Sequence, residues 1–264
     1  MDIMNFTWGQ LSIAFVILII PALILWKFKT GLLTKMGIAV VRMTIQLLFV
    51  GYYLEYLFRY DNTWLNLGWI LVMVIVADFA TIDRSELKRN RYLIFSIFIA
   101  TFLGVLVIDV FFLKFVIQLP NIMTAQYAIP ITGMVLGNCL QSNVIGINTF
   151  YYSIDQHQER YRFFIANGST QEEALFPFFR NALKKSANPT LASMATIGLV
   201  SLPGMMTGQI LSGSSPFIAI KYQIMIMLAI FSGTVLSVYL GIVISSKFVF
   251  NERNNFDKTI VKKD

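Results

Sequence analysis

Long apolar runs recur along this chain of 264 residues. Each reaches the roughly 18 to 20 residues that a helix needs to cross about 30 Å of hydrocarbon. The seven runs are Trp8–Trp26, Met36–Phe58, Leu65–Ile82, Tyr92–Val116, Ala128–Ile154, Leu191–Leu211 and Ile218–Phe248. Lipid offers backbone groups no hydrogen-bond partner, so such runs must be helical. The sequence therefore predicts an all-α polytopic membrane protein with about seven transmembrane helices.

The charged residues predict how the chain is oriented. Apolar residues make up 56% of the sequence, and the net charge of +7 comes from basic residues in the short loops between the runs. Most of the 21 basic residues fall after the first, third, fifth and seventh runs. Because basic loops stay on the cytoplasmic side, we expect an external amino terminus and a cytoplasmic carboxyl terminus in the plasma (inner) membrane. The charge is thus explained by the membrane and not by nucleic acid.

The chain is expected to form one transmembrane domain, 1–264, that ends in a polar tail at 249–264. The first run follows Asp2 rather than a basic segment and lacks a small-residue cleavage site, which favours a retained helix over a signal peptide. Cys139 is the single cysteine, so the sequence excludes an intrachain disulfide and a cysteine cluster for zinc.

Motifs of soluble enzyme chemistry are absent from the sequence. There is no glycine-rich phosphate loop, dinucleotide-binding motif, zinc-protease motif or nucleophile elbow. The one histidine, His157, lies in a polar segment, where a solvated side chain is expected. We therefore expect a non-enzymatic chain that binds no cofactor. Energy for any uphill movement would come from an ion gradient or from a separate subunit.

Polar side chains within the apolar runs are candidates for a translocation pathway, because each is costly in lipid. Arg42 and Gln46 are one helical turn apart, and Arg42 either lines a pathway or extends to the headgroups. Asp78 could pair with Arg42 or reach water. Asn138 and Gln141 share a helix face, where amides join helices or line a hydrated route. The metal ligands, if there are any, stay open.

The segment Gly198–Gln209 is unusual for a membrane helix because proline, glycine and methionine interrupt it. Pro203 is expected to kink a helix at this point, and Gly204 and Gly208 would allow another helix to approach closely. Met205 and Met206 are either packing residues or soft-metal ligands. Gln209 is the last residue of this segment that we assign to the candidate translocation pathway, together with Pro203, Met205 and Met206. The segment is interpreted either as a kinked packing helix or as a bent helix that lines the pathway.

The long polar segment 155–188 predicts a cytoplasmic helical hairpin between the fifth and sixth transmembrane helices. Two amphipathic helices would meet at Gly168, with Ser169 and Glu172 as a capping box for the second, and Pro189 would end the segment. Its many phenylalanines suggest a docking face for another protein; alternatively, they pack on the chain's own helices. The residues assigned to this coupling role are Glu159, Phe163, Gly168, Glu173, Phe178, Phe179 and Arg180.

Several motifs resemble those of the FetB-type permeases, a family that includes a bacterial iron exporter and plant aluminium-tolerance half-transporters. They are Gly198–Gly208 with Pro216–Met225, Arg42–Gln46 with Val50–Tyr52, Ile129–Asn138, and the hairpin from Glu159 to Thr170 with Arg180. The resemblance covers most of the chain. At Leu191, Ala192 and Met194 the sequence is less polar than the family pattern, and Asn167 precedes the hairpin glycine.

The resemblance implies the membrane-spanning subunit of an ABC transporter, forming a homodimer and exporting metal ions, with iron first. ATP and Mg would then bind to a partner ATPase, and the hairpin would couple that partner to the helices. Three alternatives stay open: an ABC permease for a non-metal solute, a gradient-driven carrier using Asp78 and Arg42, and a membrane scaffold. Inverted repeats typical of carriers are not visible.

Overall fold

The computed structural model describes residues 7–85, 87–88, 90–250 and 256. Within those ranges the chain is helical, with isolated bridges but no β-strand. Its helices are α1 Trp8–Ala14, α2 Ile19–Lys27, α3 Leu33–Tyr60, α4 Thr63–Arg84, α5 Arg91–Phe111, α6 Ala125–Gln156, α7 Gln158–Ala166, α8 Gln171–Thr196, α9 Gly204–Leu211 and α10 Pro216–Val249. The predicted all-α fold class is confirmed.

Five helical stretches of the described chain are long and apolar enough to cross a membrane. They are Trp8–Lys27, Leu33–Tyr60, Thr63–Arg84, Arg91–Val116 and Pro216–Val249. A 3₁₀ segment at Phe15–Leu18 joins α1 to α2 within the first stretch. Helix α6 has 32 residues, but its asparagine and glutamine side chains lower its hydropathy. The sixth predicted run is broken between α8 and α9. The chain is thus a multi-pass membrane protein, and the count of seven stays a prediction.

Helices α6 and α10 form the centre of the bundle. Helix α10 packs against α5, α6, α8 and α9, and α6 packs against α4 and α8. One core cluster joins the ends of these helices to the hairpin, with Phe150, Tyr151 and Tyr161 almost fully buried. A second cluster fills the centre around Val74, Val135 and Ile226. The bundle therefore holds α4, α5, α6, α8, α9 and α10 together.

Glycine allows close helix contact at three places outside the segment Gly198–Gln209. A Cβ atom on Gly146 would lie 2.6 Å from a Val238 methyl carbon, and one on Gly233 would lie 2.8 Å from a Val135 methyl carbon. At Gly104 it would approach the backbone of Ser237 at 3.2 Å. Gly204 and Gly208 face open space within the chain. Their predicted role in close helix approach is not fulfilled inside one protomer.

The hairpin forms as α7 and α8, with two corrections to its predicted details. Gly168 lies in the left-handed region at the turn, with φ of +88°. Thr170, not Ser169, caps α8, and its partner in the capping box is Glu173, not Glu172. Pro189 lies inside α8 and does not end it. Helix α8 continues past the proline because Ala182, Ser186 and Thr190 pack into the bundle on both sides of it.

The segment after α8 is also organised differently from the prediction. The chain leaves the helix at Ile197, and Gly198 adopts a φ of +86°. The Gly198 amide donates a 2.9 Å hydrogen bond to the Ser201 carbonyl. Pro203 then caps the amino end of α9. Pro203 therefore begins a new helix rather than kinking a continuous one, because a residue without an amide hydrogen is tolerated at a helix start.

The polar tail predicted at 249–264 lies largely outside the described residues. Phe250 and Phe256 are described, and both are buried in the hairpin-side core cluster. Their rings lie 5.7 Å apart, and Phe256 also stacks on Tyr151 at 6.2 Å. At least two residues of the tail are therefore anchored on the bundle.

Candidate functional site

Arg42 and Gln46 lie on the exposed surface of α3. Helix α3 contacts the bundle near its carboxyl end, where Leu57 is fully buried and the Tyr53 and Trp69 rings lie 4.3 Å apart. Arg42 lies nearer the amino end of α3. There, nothing in the described chain covers its side chain or forms a hydrogen bond or ion pair with it. A charged side chain in the middle of an apolar helix is thus left uncovered in the isolated protomer.

Asp78 lies inside the bundle with 2% of its surface exposed. Thr101 lies beside it, but neither carboxylate oxygen has a partner at hydrogen-bonding distance. The side chain borders a crevice of about 840 Å³ between α4 and α5. The crevice is otherwise lined by Ile75, Phe79, Arg91, Tyr92, Ile94, Phe95 and Phe98. The expected pair of Asp78 with Arg42 is not formed within the chain.

A buried hydrogen-bond network joins three helices near Asp78. The Asn143 amide on α6 donates to the Ser237 hydroxyl on α10 at 2.8 Å and to the Thr101 hydroxyl on α5 at 3.2 Å. The Ser237 hydroxyl in turn donates a hydrogen bond to the side-chain oxygen Oδ1 of Asn143 at 3.1 Å. All three side chains are at least 99% buried. Asn143 lies in the fifth apolar run, but no local signal in the sequence indicates that it joins three helices.

Replacing Asn143 with Leu should destabilise the bundle by about 1–3 kcal/mol, because buried hydroxyl groups would lose their partners. Thermal unfolding in detergent would measure the change. Asn148→Leu is the matched control, since Asn148 is only half-buried on the same helix. Equal midpoints for the two variants would contradict a structural role for the network.

Asp109 is a second buried carboxylate that sequence reasoning did not select. One oxygen accepts a 2.6 Å hydrogen bond from the Thr132 hydroxyl, and the other has no partner. The side chain borders an apolar cavity of about 30 Å³, which is close to the volume of one water molecule. A π-helical segment, Phe112–Val116, follows Asp109 directly. Such segments often lie at functional sites. The π-helical segment, rather than a sequence motif, therefore marks Asp109 as a candidate functional residue.

The two predicted amides of α6 have different surroundings. The Asn138 amide donates a 2.8 Å hydrogen bond to the Met134 carbonyl one turn earlier. Gln141 is exposed. Asn138 is thus satisfied by its own helix, and neither side chain is brought to Asp78 by a hydrogen bond.

Helix α9 brings Met206 and Gln209 into the bundle. Met206 is 8% exposed, and Met205 packs against the central core cluster. The side-chain amide oxygen of Gln209 is buried, and no described residue donates a hydrogen bond to it. The same is true of the side-chain amide oxygen of Gln223 on α10. Helices α9 and α10 pack against each other. Two oxygen acceptors on adjoining helices are therefore free of protein donors, and Gln223 was missed by sequence reasoning.

The hairpin divides its phenylalanines between core and surface. Phe178 is 5% exposed and belongs to the hairpin-side core cluster, and Phe179 packs edge-on against Phe150 at 6.4 Å. Phe163 and Phe176 are each 64% exposed. The surface available to another protein is thus formed by Phe163 and Phe176, not by Phe178. The coupling role of the hairpin stays a prediction.

Polar residues on the hairpin surface accompany these rings. Glu159 and Arg180 are exposed. The Glu173 carboxylate accepts a 2.8 Å hydrogen bond from the Thr170 amide, which lowers the pKa of Glu173. Since the pKa is lowered in the folded state, this contribution to helix stability is present above the ordinary glutamate pKa. It is lost as the pH falls through the lowered value.

No preformed metal centre occurs among the described residues. No group of three or more His, Cys, Asp or Glu side chains there could hold a metal ion. Met205 and Met206 lie on consecutive positions of α9, where Met206 is buried and Met205 half-buried. The methionines are thus packed in the bundle rather than joined to an imidazole, thiol or carboxylate cluster.

These features define an all-helical, multi-pass membrane protein with polar groups buried between its helices. Residues 8–250 match the model of the family described as "Uncharacterised protein family (UPF0014)". The chain belongs to that family.

Three relatives show how the family extends across bacteria and plants. The chain is 32% identical over 260 residues to the probable iron export permease protein FetB of Escherichia coli, covering 98% of each chain. It is 33% identical over 219 residues to the membrane protein YjkA of Bacillus subtilis, covering 83% of this chain and 85% of YjkA. It is 31% identical over 222 residues to the protein ALUMINUM SENSITIVE 3 of Arabidopsis thaliana, covering 81% and 77%. No solved structure gives a significant match.

Proposed function

We propose that this chain is the membrane-spanning permease subunit of an ABC transporter that exports metal ions, with iron as the first candidate. The observation that carries this proposal is the match to the probable iron export permease FetB over 98% of both chains. The ATP would be hydrolysed by a separate subunit, because the sequence has no nucleotide-binding motif of its own.

The proposed membrane arrangement has seven transmembrane helices. Helix α6 and the α8–α9 segment would supply two in addition to the five apolar stretches. Backbone outside a helix is tolerated at membrane depth where protein or a wet cavity satisfies it. Leu199 and Val200 in the break between α8 and α9 are 91% and 81% exposed, so in the assembled transporter the break would face another subunit or a wet cavity. The amino terminus would be outside and the hairpin cytoplasmic, in agreement with the positions of the basic loops.

The hairpin surface is proposed to receive the ATPase. Phe163 and Phe176 are exposed while Phe178 anchors the same hairpin in the core. Such an arrangement can transmit force, because a contact at the exposed rings acts on a segment that is packed against α6 and α10. Hot spots of protein interfaces are rich in aromatic residues and arginine, and Arg180 is exposed beside them.

The proposed pathway uses the unpartnered amide oxygens of Gln209 and Gln223. A hard cation prefers oxygen ligands, and a pathway must bind its ion weakly enough for release. Two neutral oxygens without protein donors meet both conditions. The methionines of α9 would form the apolar wall beside them.

A gradient-driven carrier is the second candidate, favoured by the two buried carboxylates. Asp78 and Asp109 each have an unpartnered oxygen inside the bundle, and intramembrane carboxylates are typical of proton relays. As the sequence suggests it, this carrier would use Asp78 together with Arg42. Asp78 and Arg42 form no pair within the protomer. The structure therefore favours the ATP-driven proposal over the carrier.

Purification from native membranes tests the proposal. The intact chain, isolated in mild detergent, should retain a soluble ATPase that binds Mg and ATP. Isolation of the chain with no nucleotide-hydrolysing partner, under conditions that preserve its fold, would contradict it.

A further inference from the structure

Among the residues that the structure describes, Arg42 and Asp78 are opposite charges without a partner, and both lie in stretches that are long and apolar enough to cross a membrane. Arg42 projects from the uncovered part of α3, and Asp78 is buried beside the crevice between α4 and α5. No hydrogen bond or ion pair involving Arg42 is formed within the described chain, and neither Asp78 oxygen has a partner. Unpaired charges are unfavourable in the bilayer, so each side chain requires a complement.

The two charges lie at similar depths. Helices α3 and α4 are joined through Asp61 and Asn62, so the first residue of α3 and the last residue of α4 lie on the same side. At 1.5 Å per residue, Arg42 is about 13 Å from the start of α3 and Asp78 about 9 Å from the end of α4. Side chains tilt toward the helix amino terminus, which moves the two groups toward each other in depth.

Within one chain, however, the charges point to different sides of α4. Helix α3 approaches α4 on the face that carries Trp69, whose ring contacts Tyr53. Asp78 follows Trp69 by nine residues, which is about half a turn around the helix at roughly 100° per residue. Arg42 would have to cross α4 to reach the Asp78 of its own chain.

The surfaces around both charges are open and apolar. On α4 the exposed side chains beside the crevice recur at helical spacing: Val72, Ile75, Val76 and Phe79. On α3 apolar side chains are exposed all around the helix, and those on the side of Arg42 recur at helical spacing: Ile38, Val41, Ile45 and Phe49. Two such stripes can pack as a helix pair. At about 840 Å³, the crevice is far larger than the space of one water molecule.

We propose that a second copy of this chain fills the crevice, with its α3 lying along α4 and its Arg42 pairing with Asp78. Both Asp78 oxygens are inaccessible in the isolated protomer, so the pair forms when that side chain turns from the bundle into the crevice that it borders. Two-fold symmetry makes the contact reciprocal, so each protomer supplies one arginine and one aspartate. The inference rests on the permease assignment of the proposed function and on the homodimer that the family resemblance implies, and it deepens both, because it assigns the contact that each protomer lacks. Arg91, which also lines the crevice, would face the same partner helix.

Cross-linking tests the contact while leaving both charges in place. In a Cys139→Ser background, chains carrying Ile45→Cys and chains carrying Ile75→Cys are co-expressed with different tags and treated with a short bismaleimide in membranes. Ile45 and Ile75 each lie one turn from the charged residue, on the same side in depth, and are 61% and 43% exposed. We expect a covalent dimer that carries both tags.

Leu47→Cys paired with Ile75→Cys is the matched control. Leu47 is 63% exposed but lies on the far side of α3 from Ile45, so at least about tenfold less product is expected. Equal yields from both pairs, no product, or a double-cysteine chain that cross-links only within itself would overturn the inference. A lipid in the crevice would give the no-product result.

Charge exchange provides an independent measurement. Arg42→Asp should lower the dimer fraction in detergent by at least about tenfold, because two carboxylates would meet in an apolar contact. Adding Asp78→Arg to the same chain should restore the dimer. Failure of the double variant to recover, although it is folded by its thermal midpoint, would refute the pair. ATPase co-purification, scored on the same samples, separates failure of this contact from failure of the proposed function.

Discussion

The double substitution of Phe163 and Phe176 by Ser should release the ATPase from the purified chain. Both rings are 64% exposed on the hairpin while their neighbours are packed in the core. Aromatic hot spots contribute about 2 kcal/mol or more each to an interface. Removing two of them should therefore weaken binding by at least about a hundredfold, since about 1.4 kcal/mol corresponds to tenfold.

Quantitative pull-down of the ATPase from native membranes measures this effect. Trp64→Ser is the matched control. Trp64 is 79% exposed and lies in the first turn of α4, at the end of that helix away from the hairpin, so its replacement should leave binding unchanged. Phe178→Ser is unsuitable as a probe of docking, because its side chain is buried and its loss would destabilise the hairpin. Full retention of the ATPase by the double variant would show that the partner binds elsewhere.

The double substitution of Gln209 and Gln223 by Leu should abolish metal export without harming the fold. Each amide oxygen is buried without a donor, and an unsatisfied buried acceptor costs about 1–3 kcal/mol. The leucines remove that cost, so the thermal midpoint should stay equal or rise. Loss of both proposed oxygen ligands should reduce export by at least about tenfold.

Export assays and thermal unfolding on the same preparation separate function from stability. Gln126→Leu, at an exposed position in the first turn of α6, is the matched control. A variant that transports normally would show that these amides lie outside the pathway. A variant that unfolds would show that an unassigned group, such as a bound water, satisfies them in the native protein.

Local sequence signals were enough to predict part of the fold. Apolar length predicted the five stretches that are long and apolar enough to cross a membrane, and Gly168 predicted the hairpin turn. The stripe through Leu175, Phe178 and Ala182 predicted one apolar face on α8, and all three are buried. What local signals could not decide was whether that face meets the chain's own helices or another protein. That choice depends on α6 and α10, which are distant in sequence.

The remaining differences arise where packing overrides a local preference. Pro189 was expected to end a helix, but buried Ser186 and Thr190 hold α8 together through it. The N-cap of α8 is Thr170 and not the predicted Ser169, because neighbouring serine and threonine residues are equivalent N-cap candidates in a sequence. Asp109 and Asn143 gained their surroundings from α6, α5 and α10 together. No single stretch of sequence carries that information.

Reconstitution into sealed vesicles tests the central proposal most directly. The chain and its ATPase are inserted together, and iron movement is followed with ATP on the ATPase side, in the absence of any ion gradient. We predict ATP-dependent iron export that requires both proteins and is lost with a hydrolysis-deficient ATPase. Iron movement by this chain alone, driven by a proton or sodium gradient and indifferent to ATP, would contradict the proposal.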